Sequence, residues 1–404
     1  MKQCKGGVCA PKGFYANGVH CGIRKNKNKK DFSLIYSDTL CSAASTYTQN
    51  KVKGAPIYVT KEHLLDGKAQ VIITNSGNAN TCNANGIEIA KAMCNLCEKH
   101  LPVKSEDVIV ASTGVIGEPL SIEPMADHIQ ELVNGLNEQG SHDACSAIMT
   151  TDTFEKEYAV TFTIDGKTAY MGGIAKGSGM IHPNMATMLS YITSDVAIDS
   201  TLLNEVVHDV VDDTFNMISV DGDTSTNDML SVLCNGKCGN KEITSQNENY
   251  HIFKQALYEV CENLSKMMAS DGEGASKLLT CQVKNGKSIQ DAKTIAKSII
   301  TSSLFKAAMF GCDANWGRIL CAIGYAEAEC DIDKIDVSLA SIKGKIQVCI
   351  NGKGCGFDED SALLILKEKE VIIEVDLKDG IYDACAWGCD LTYDYVKING
   401  EYRS

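Results

Sequence analysis

Thr187 stands in "KGSGMIHPNMATML", residues 176–189, where a glycine-rich run carrying a proline meets an apolar strand pattern. A threonine hydroxyl is a poor nucleophile and needs an adjacent base. A threonine at a new N-terminus brings its own, because an α-amine titrates at about 7.7–8.0, close to working pH. Neither a histidine nor a carboxylate is then required. The chain must be cut between Ala186 and Thr187, which attack of the hydroxyl on its own preceding carbonyl would accomplish. The small Ala186 and the glycines upstream ease that attack. Glycine-rich loops entering strands are also common, so the spacing alone leaves nucleophile and plain strand threonine both open.

Other small-polar stretches interrupt the helix and strand patterns: "NSGNAN" (75–80), "ASTGVIG" (111–117), "MTTDT" (149–153), "DGDTSTND" (221–228), "DGEGAS" (271–276) and "CDANWGR" (312–318). Sites are commonly grafted on such loops. Most familiar motifs fail on them. "KGSG" has its lysine before the glycines, so it is not a phosphate loop, and "STGVIG" is not a dinucleotide fingerprint. An EF-hand starting at Asp221 would need glycine and glutamate where Thr226 and Val232 stand. There is no G-x-S-x-G elbow and no H-E-x-x-H. His182 is the one histidine in a chemically suggestive loop, and it reads as a surface residue. The close cysteine pairs Cys94/Cys97, Cys234/Cys238 and Cys385/Cys389 lack zinc-ribbon spacing, so no metal is expected.

These loops must be held by elements. A chain of 404 residues is long enough for two domains. "AQVIITNSG" (69–77), "DVIVAST" (107–113) and "EYAVTFTI" (157–164) read as strands, and "TMLSYITSD" continues as one from Thr187. Helices are expected over 86–101, over 199–219 with Asp199 or Ser200 as cap, over 250–269 and over 291–310. "KIDVSLASIKGKIQVCI" and "VIIEVDLKDG" look like strand pairs turning at Gly344 and Gly380. The class is mixed α/β (α+β), two domains of layered sheets and helices. The net charge of −14 argues against nucleic acid as partner, and the basic run "RKNKNKK" (24–30) reads as a solvated loop. No stretch is apolar enough for a membrane span, and the N-terminus has no signal-peptide core. The nineteen cysteines read as reduced and mostly packed as small hydrophobes.

"KGSGMIHPNMATML" closely resembles the self-processing segment of the ornithine acetyltransferase family, the bifunctional glutamate N-acetyltransferases of arginine biosynthesis. "APKGFYANGVHCGIR", "LIYSD", "NSGNANTCNA", "ASTGVIG", "IMTTDT", "DGDTSTND", "DGEGASK", "CDANWGRI" and "YVKINGEYRS" resemble family segments in family order, from about residue 10 to 404. The resemblance implies a cut into an α chain of 1–186 and a β chain of 187–404, interwoven across two structural domains and layered like N-terminal-nucleophile hydrolases. It implies that Thr187 takes an acetyl group from N-acetyl-L-ornithine and passes it to L-glutamate, with Thr113 (side chain) and Gly114 (backbone) as oxyanion donors. Thr150, Lys176, Glu273, Asn399 and Ser404 are implied to contact substrate together with Thr187. It further implies no cofactor, acetyl-CoA as a possible second donor, an α2β2 assembly and a cytoplasmic location. Ser276 and Gly400 depart from the family's commoner threonine and alanine without touching a site residue. Two other readings of the residues are a hydrolase or aminopeptidase of similar architecture, which would give the acyl group to water, and a non-catalytic metabolite binder.

Overall fold

The computed structural model describes residues 1–182 and 188–401. The chain divides into two units, neither contiguous in sequence. The first comprises Met1–Gly177, Pro183–Phe215 and Thr224–Leu264, and the second Ser178–His182, Asn216–Asp223 and Ser265–Ser404. Each draws on residues from both sides of position 187.

Among the described residues, the first unit carries a nine-stranded mixed sheet. Its order is Lys2–Cys4, Lys156–Ile164, Lys167–Lys176, Leu189–Ser194, Met229–Cys234, Phe32–Tyr47, Lys68–Asn78 and Val108–Val115, with Phe14–Val19 also paired to Phe32–Tyr47. Alternation along Val108–Val115 sends Val108 and Val110 to one face and Ile109 and Ala111 to the other. The first pair meets Ala90, Met93 and Cys97 of the helix Gly86–His100, and Met125 and Ile129 of the helix Glu123–Asn134. The second meets Ala144, Cys145 and Ile148 of the helix Ser141–Ile148. Strands covered on both faces read as unbroken apolar runs, which is why these were legible. Each buried Val or Ile contributes roughly 1.5–3 kcal/mol. The parallel pair Lys68–Asn78 and Val108–Val115 ends side by side, so the small-polar runs that follow them lie together at the strands' carboxyl ends, where α/β sheets bind ligands.

The second unit holds a seven-stranded sheet in the order Lys353–Gly354, Gly344–Ile350, Asp336–Ser341, Glu370–Asp376, Leu278–Gly286, Tyr382–Cys389 and Ile218–Ser219. Helix Glu248–Ser270 matches expectation.

Three local expectations are corrected. The helix expected over 199–219 runs Ser200–Asp213, capped by Asp199, whose carboxylate accepts the Thr201 and Leu202 N–H groups. Asp212 and Asp213 oppose the dipole at its C-terminus, and the Thr214 hydroxyl takes the Val210 carbonyl at 2.6 Å. Ile218–Ser219 is instead an edge strand against Trp387–Gly388. The helix expected over 291–310 is two, Ile289–Thr301 and Ser303–Phe310, broken at Ser302, whose hydroxyl caps the second by accepting Phe305 N–H at 3.3 Å. At Gly344 the hairpin forms as expected, but no strand pair closes across Gly380. Glu370–Asp376 runs parallel to Leu278–Gly286, and Tyr382–Cys389 lies on that strand's other side. A turn signal marks a reversal and leaves the partner to distant packing.

No disulfide joins any of the nineteen cysteines; twelve are buried, and only Cys82 and Cys321 are exposed. Burial pushes the Cys94 thiol up to about 12, so it stays a neutral, small hydrophobe.

Candidate active site

In the first unit, Gly77 and Gly114 face each other across the parallel strands, with φ of +110° and +130°. A Cβ on Gly114 would lie 2.3 Å from the Gly77 carbonyl carbon. Only glycine allows both the conformation and the approach. The register then slips at Asn78, which faces both Thr113 and Val115. Bulges of this kind end regular pairing and re-aim side chains beside active sites.

Thr113, 8% exposed, presents its hydroxyl to Lys176, which closes the strand Lys167–Lys176. Lys176 Nζ donates to Thr113 Oγ1 at 3.3 Å. Burial lowers the Lys176 pKa, while Asp152 and Asp228 hold it up. Asp152 is the organiser of this cluster. Its Oδ1 accepts Lys156 Nζ at 2.7 Å and Gly177 N–H at 2.7 Å, and its Oδ2 accepts Thr150 N–H at 2.9 Å. Burial opposes its ionisation, but Lys156 and then Lys176 overcome that and hold the carboxyl at about 2. Thr113, Gly114 and Lys176 are therefore gathered directly, and Thr150 through Asp152.

Asn227 ties the 224–228 loop to the same strand end. Its Nδ2 donates to Ala79 O at 2.5 Å and to Ser112 O at 3.0 Å, while its Oδ1 accepts the Thr81 and Thr226 hydroxyls. With all its capacity used, Asn227 positions the loop. The basic run departs from the solvated reading at both ends. The Arg24 guanidinium donates to Met149 O and its charge bears on Lys176, and Lys30 pairs with Asp143.

In the second unit, Glu273 is buried and receives Asn399 Nδ2 on Oε2 at 2.8 Å. Its backbone N–H donates to Ser178 O at 3.0 Å, and Ser178 Oγ donates to Asp271 O at 2.6 Å. A Cβ on Gly179 would come within 2.4–2.5 Å of the Glu273 carboxyl group, so a glycine is what admits that carboxylate. Glu273 and Asn399, chosen from segments 126 residues apart, are thus neighbours. His182 Nδ1 lies 3.1 Å from Ser219 Oγ, and burial, then Lys297, pushes its pKa down to about 4. It is half-buried and uncharged at neutral pH rather than the surface residue expected.

Ala186, Thr187 and Ser404 lie outside the described residues. Their neighbours do not: Leu189 pairs with Lys176 on one side and Met229 on the other. Asp152, Lys156, Asn227, Asp228, Arg24 and Gly179 were not singled out from sequence. Asp152, Asn227 and Asp228 sit inside quoted polar stretches, which was the available signal; nothing in the sequence marked Lys156. Among the described residues, no cluster of His, Cys, Asp and Glu could hold a metal. A surface concavity of about 450 Å³ in the first unit, lined by Lys53, Tyr58, Asn80, Cys82 and Ile87 among others, contains none of the expected site residues.

A profile of the ArgJ family matches residues 15–404. The chain is 52% identical over 392 residues, 97% of its length and 96% of the relative's, to arginine biosynthesis bifunctional protein ArgJ 1 of Clostridium acetobutylicum. It is 49% identical over 405 aligned positions, spanning both chains in full, to the arginine biosynthesis bifunctional protein ArgJ of Caldanaerobacter subterraneus subsp. tengcongensis. A crystal structure of the arginine biosynthesis bifunctional protein argJ from Bacillus halodurans matches with a TM-score of 0.51 and 43% identity, taking in 54% of this chain and 100% of that one. The mixed α/β class and the expected kinship hold together, and the chain belongs to the ArgJ family, acetyltransferases of arginine biosynthesis.

Proposed function

We propose that the chain cuts itself between Ala186 and Thr187, and that the freed Thr187 carries an acetyl group from N-acetyl-L-ornithine to L-glutamate. The Thr187 α-amine takes the hydroxyl proton as Oγ bonds to the acetyl carbonyl carbon. The oxyanion is received by the Thr113 hydroxyl and the Gly114 N–H. Its collapse expels ornithine, whose nitrogen leaves with the proton. The glutamate amine then attacks the acetyl-enzyme by the reverse steps. Acetyl-CoA is a second acyl donor to the same threonine, and no cofactor takes part. Thr150, Lys176, Glu273, Asn399 and Ser404 bind substrate together with Thr187. The pieces 1–186 and 187–404 assemble as a cytoplasmic α2β2 enzyme.

The observation that carries this is the Lys176–Thr113 contact. Lys176 donates into the Thr113 oxygen, so the hydroxyl's own hydrogen is free to donate onward, as an oxyanion donor must. Leu189, two residues past Thr187, is anchored in register with Lys176. A further support is length. The solved relative's whole chain takes in 54% of this one, and residues 187–404 are 218 of 404, also 54%.

The test is glutamate-dependent release of ornithine from N-acetylornithine, with acetyl-CoA tried as donor in parallel. On a denaturing gel the 43.5 kDa chain should give bands near about 20 and 23 kDa, by proportion of length at average composition. Thr187→Ala should remain whole and inactive. A fully active Thr187→Ala protein, or ornithine release that ignores glutamate, would overturn the assignment, the latter in favour of a hydrolase.

A further inference from the structure

Five cations crowd into residues 24–30: Arg24, Lys25, Lys27, Lys29 and Lys30, in a chain whose net charge is −14. Like charges this close repel one another. Against them stand Asp31 and Asp143, which touch the loop, and Glu131, which lies beside it. Five against three leaves an excess of two positive charges. Lys25 and Lys27 are exposed, and neither enters an ion pair among the described residues.

Such a run would ordinarily be left loose in solvent, yet this one is folded in place. Asp31, fully buried, accepts the Cys21 N–H at 2.6 Å and the Arg24 N–H at 2.8 Å. Asn26 turns the chain, taking the Lys29 N–H on its carbonyl at 3.1 Å and the Asn28 N–H on Oδ1 at 3.0 Å. His20 Nδ1 donates to the Lys29 carbonyl at 2.9 Å, since a carbonyl only accepts. We propose that this loop is a receptor: the concavity beside it binds a compact polyphosphate anion, and binding steadies the Met149–Thr150 segment that the loop touches.

The concavity measures about 470 Å³ and belongs wholly to the first unit, a size usual for small-ligand sites. Asn17, His20, Lys27, Asn28, Lys30 and Glu131 line it. Lys25 and Lys29 lie two residues either side of Lys27, at most about 7 Å of chain away, within one Debye length of about 8 Å. Four ammonium groups therefore bear on one hollow. The Arg24 guanidinium, whose planar fork suits carboxylates, is turned instead to the Met149 carbonyl. The ammonium groups act as point charges, so they select for charge number rather than planar shape. A diphosphate supplies several charges within a few ångströms. No phenylalanine, tyrosine or tryptophan lines the hollow, so a nucleoside base has no such ring to stack on.

The same loop touches the Thr150 segment. The Arg24 guanidinium donates to Met149 O, and Lys29 Nζ donates to Thr150 O at 3.5 Å. Asp152 holds the Thr150 N–H from the other side of that peptide. An anion that fixes Lys27 and Lys30 restricts the whole loop, so Arg24 and Lys29 hold the two carbonyls for a larger share of the time. Binding is independent of the function proposed above; its effect on substrate rests on that reading, through Thr150.

Wild type, Lys27→Glu and Lys353→Glu are compared as full-length chains in magnesium-free buffer. Lys353 is an exposed lysine of the second unit, so both variants change net charge equally. Titration calorimetry with pyrophosphate should give wild type one site with Kd of about 0.1–1 mM, weakening severalfold between about 50 and 300 mM NaCl. Lys27→Glu should bind about tenfold more weakly, and Lys353→Glu like wild type. Hydrogen exchange should slow about fivefold over residues 20–31 and 149–151 when pyrophosphate is added to wild type, and stay unchanged in Lys27→Glu. KM for N-acetylornithine should fall about fivefold, the lower end of ordinary couplings. Absence of pyrophosphate binding up to about 10 mM, or equal weakening in both variants, overturns the site. ADP should bind within about threefold of pyrophosphate. Binding of ADP or of an oligothymidylate about tenfold tighter than pyrophosphate would mark a nucleotide or nucleic-acid surface and overturn the polyphosphate receptor. Binding without slower exchange at 149–151 overturns the link to Thr150. Slower exchange with an unmoved KM counts against Thr150 as a substrate contact and leaves the anion site standing.

Discussion

Asp152→Asn removes one negative charge from a place where the structure spends several contacts on it. The Asp152 and Lys156 side chains are both fully buried, 2.7 Å apart. Holding the Asp152 carboxyl at about 2 against an ordinary 3.8 corresponds to about 2–3 kcal/mol favouring the ionised, folded state. Deleting one partner of a buried pair strands the other, at about 3–5 kcal/mol. Lys156 would keep the Phe154 carbonyl at 3.4 Å and the Phe154 ring, so a loss of about 3 kcal/mol is expected, at the lower end of that range. Denaturant unfolding followed by far-UV dichroism is the suitable assay, because Trp316 and Trp387 both lie in the second unit. The pH dependence has a definite sign. A carboxyl with a depressed folded pKa stabilises above its unfolded value and loses that contribution as pH falls through its folded value. The gap between wild type and variant should therefore be full at pH 7 and narrow between about pH 4.5 and 2. A loss under about 1 kcal/mol at pH 7, or a gap that stays constant on acidification, would refute Asp152 as the organising charge.

Other perturbations separate site geometry from stability. Gly114→Ala forces a Cβ to 2.3 Å from the Gly77 carbonyl carbon at φ +130°, so the strand end must shift and kcat for acetyl transfer should fall about 10²–10³-fold. Thr113→Val keeps the shape and removes the hydroxyl that Lys176 contacts; a similar fall in kcat is expected, with little change in KM for N-acetylornithine. Gly179→Ala meets only the flexible end of Glu273, so unfolding free energy should change by under about 1 kcal/mol while KM rises severalfold. His182→Gln should leave kcat within about twofold, since the imidazole is neutral and turned to Ser219; a large loss would restore it as a catalytic candidate.

Composition and pattern determined much of this protein without help. The buried strands 68–78 and 108–115 were readable because both faces are apolar, and the helix cap at Asp199 because a carboxylate there meets unpaired N–H groups. The polar breaks after those strands, together with the ordered family segments, named Thr113, Gly114, Thr150, Lys176, Glu273 and Asn399. What they touch was not readable, because each contact joins residues far apart in sequence: Lys176 with Thr113 across 63 positions, Asn399 with Glu273 across 126. Tertiary structure alone decided that Asp152 is the shared acceptor, that Asp228 is buried, that Gly77 and Gly114 oppose each other, and that the strands flanking Gly380 pair with Leu278–Gly286 rather than with each other. Period and propensity are properties of short windows. Desolvation, ion pairing and strand partnership depend on which distant segment arrives alongside, and only the folded chain settles that.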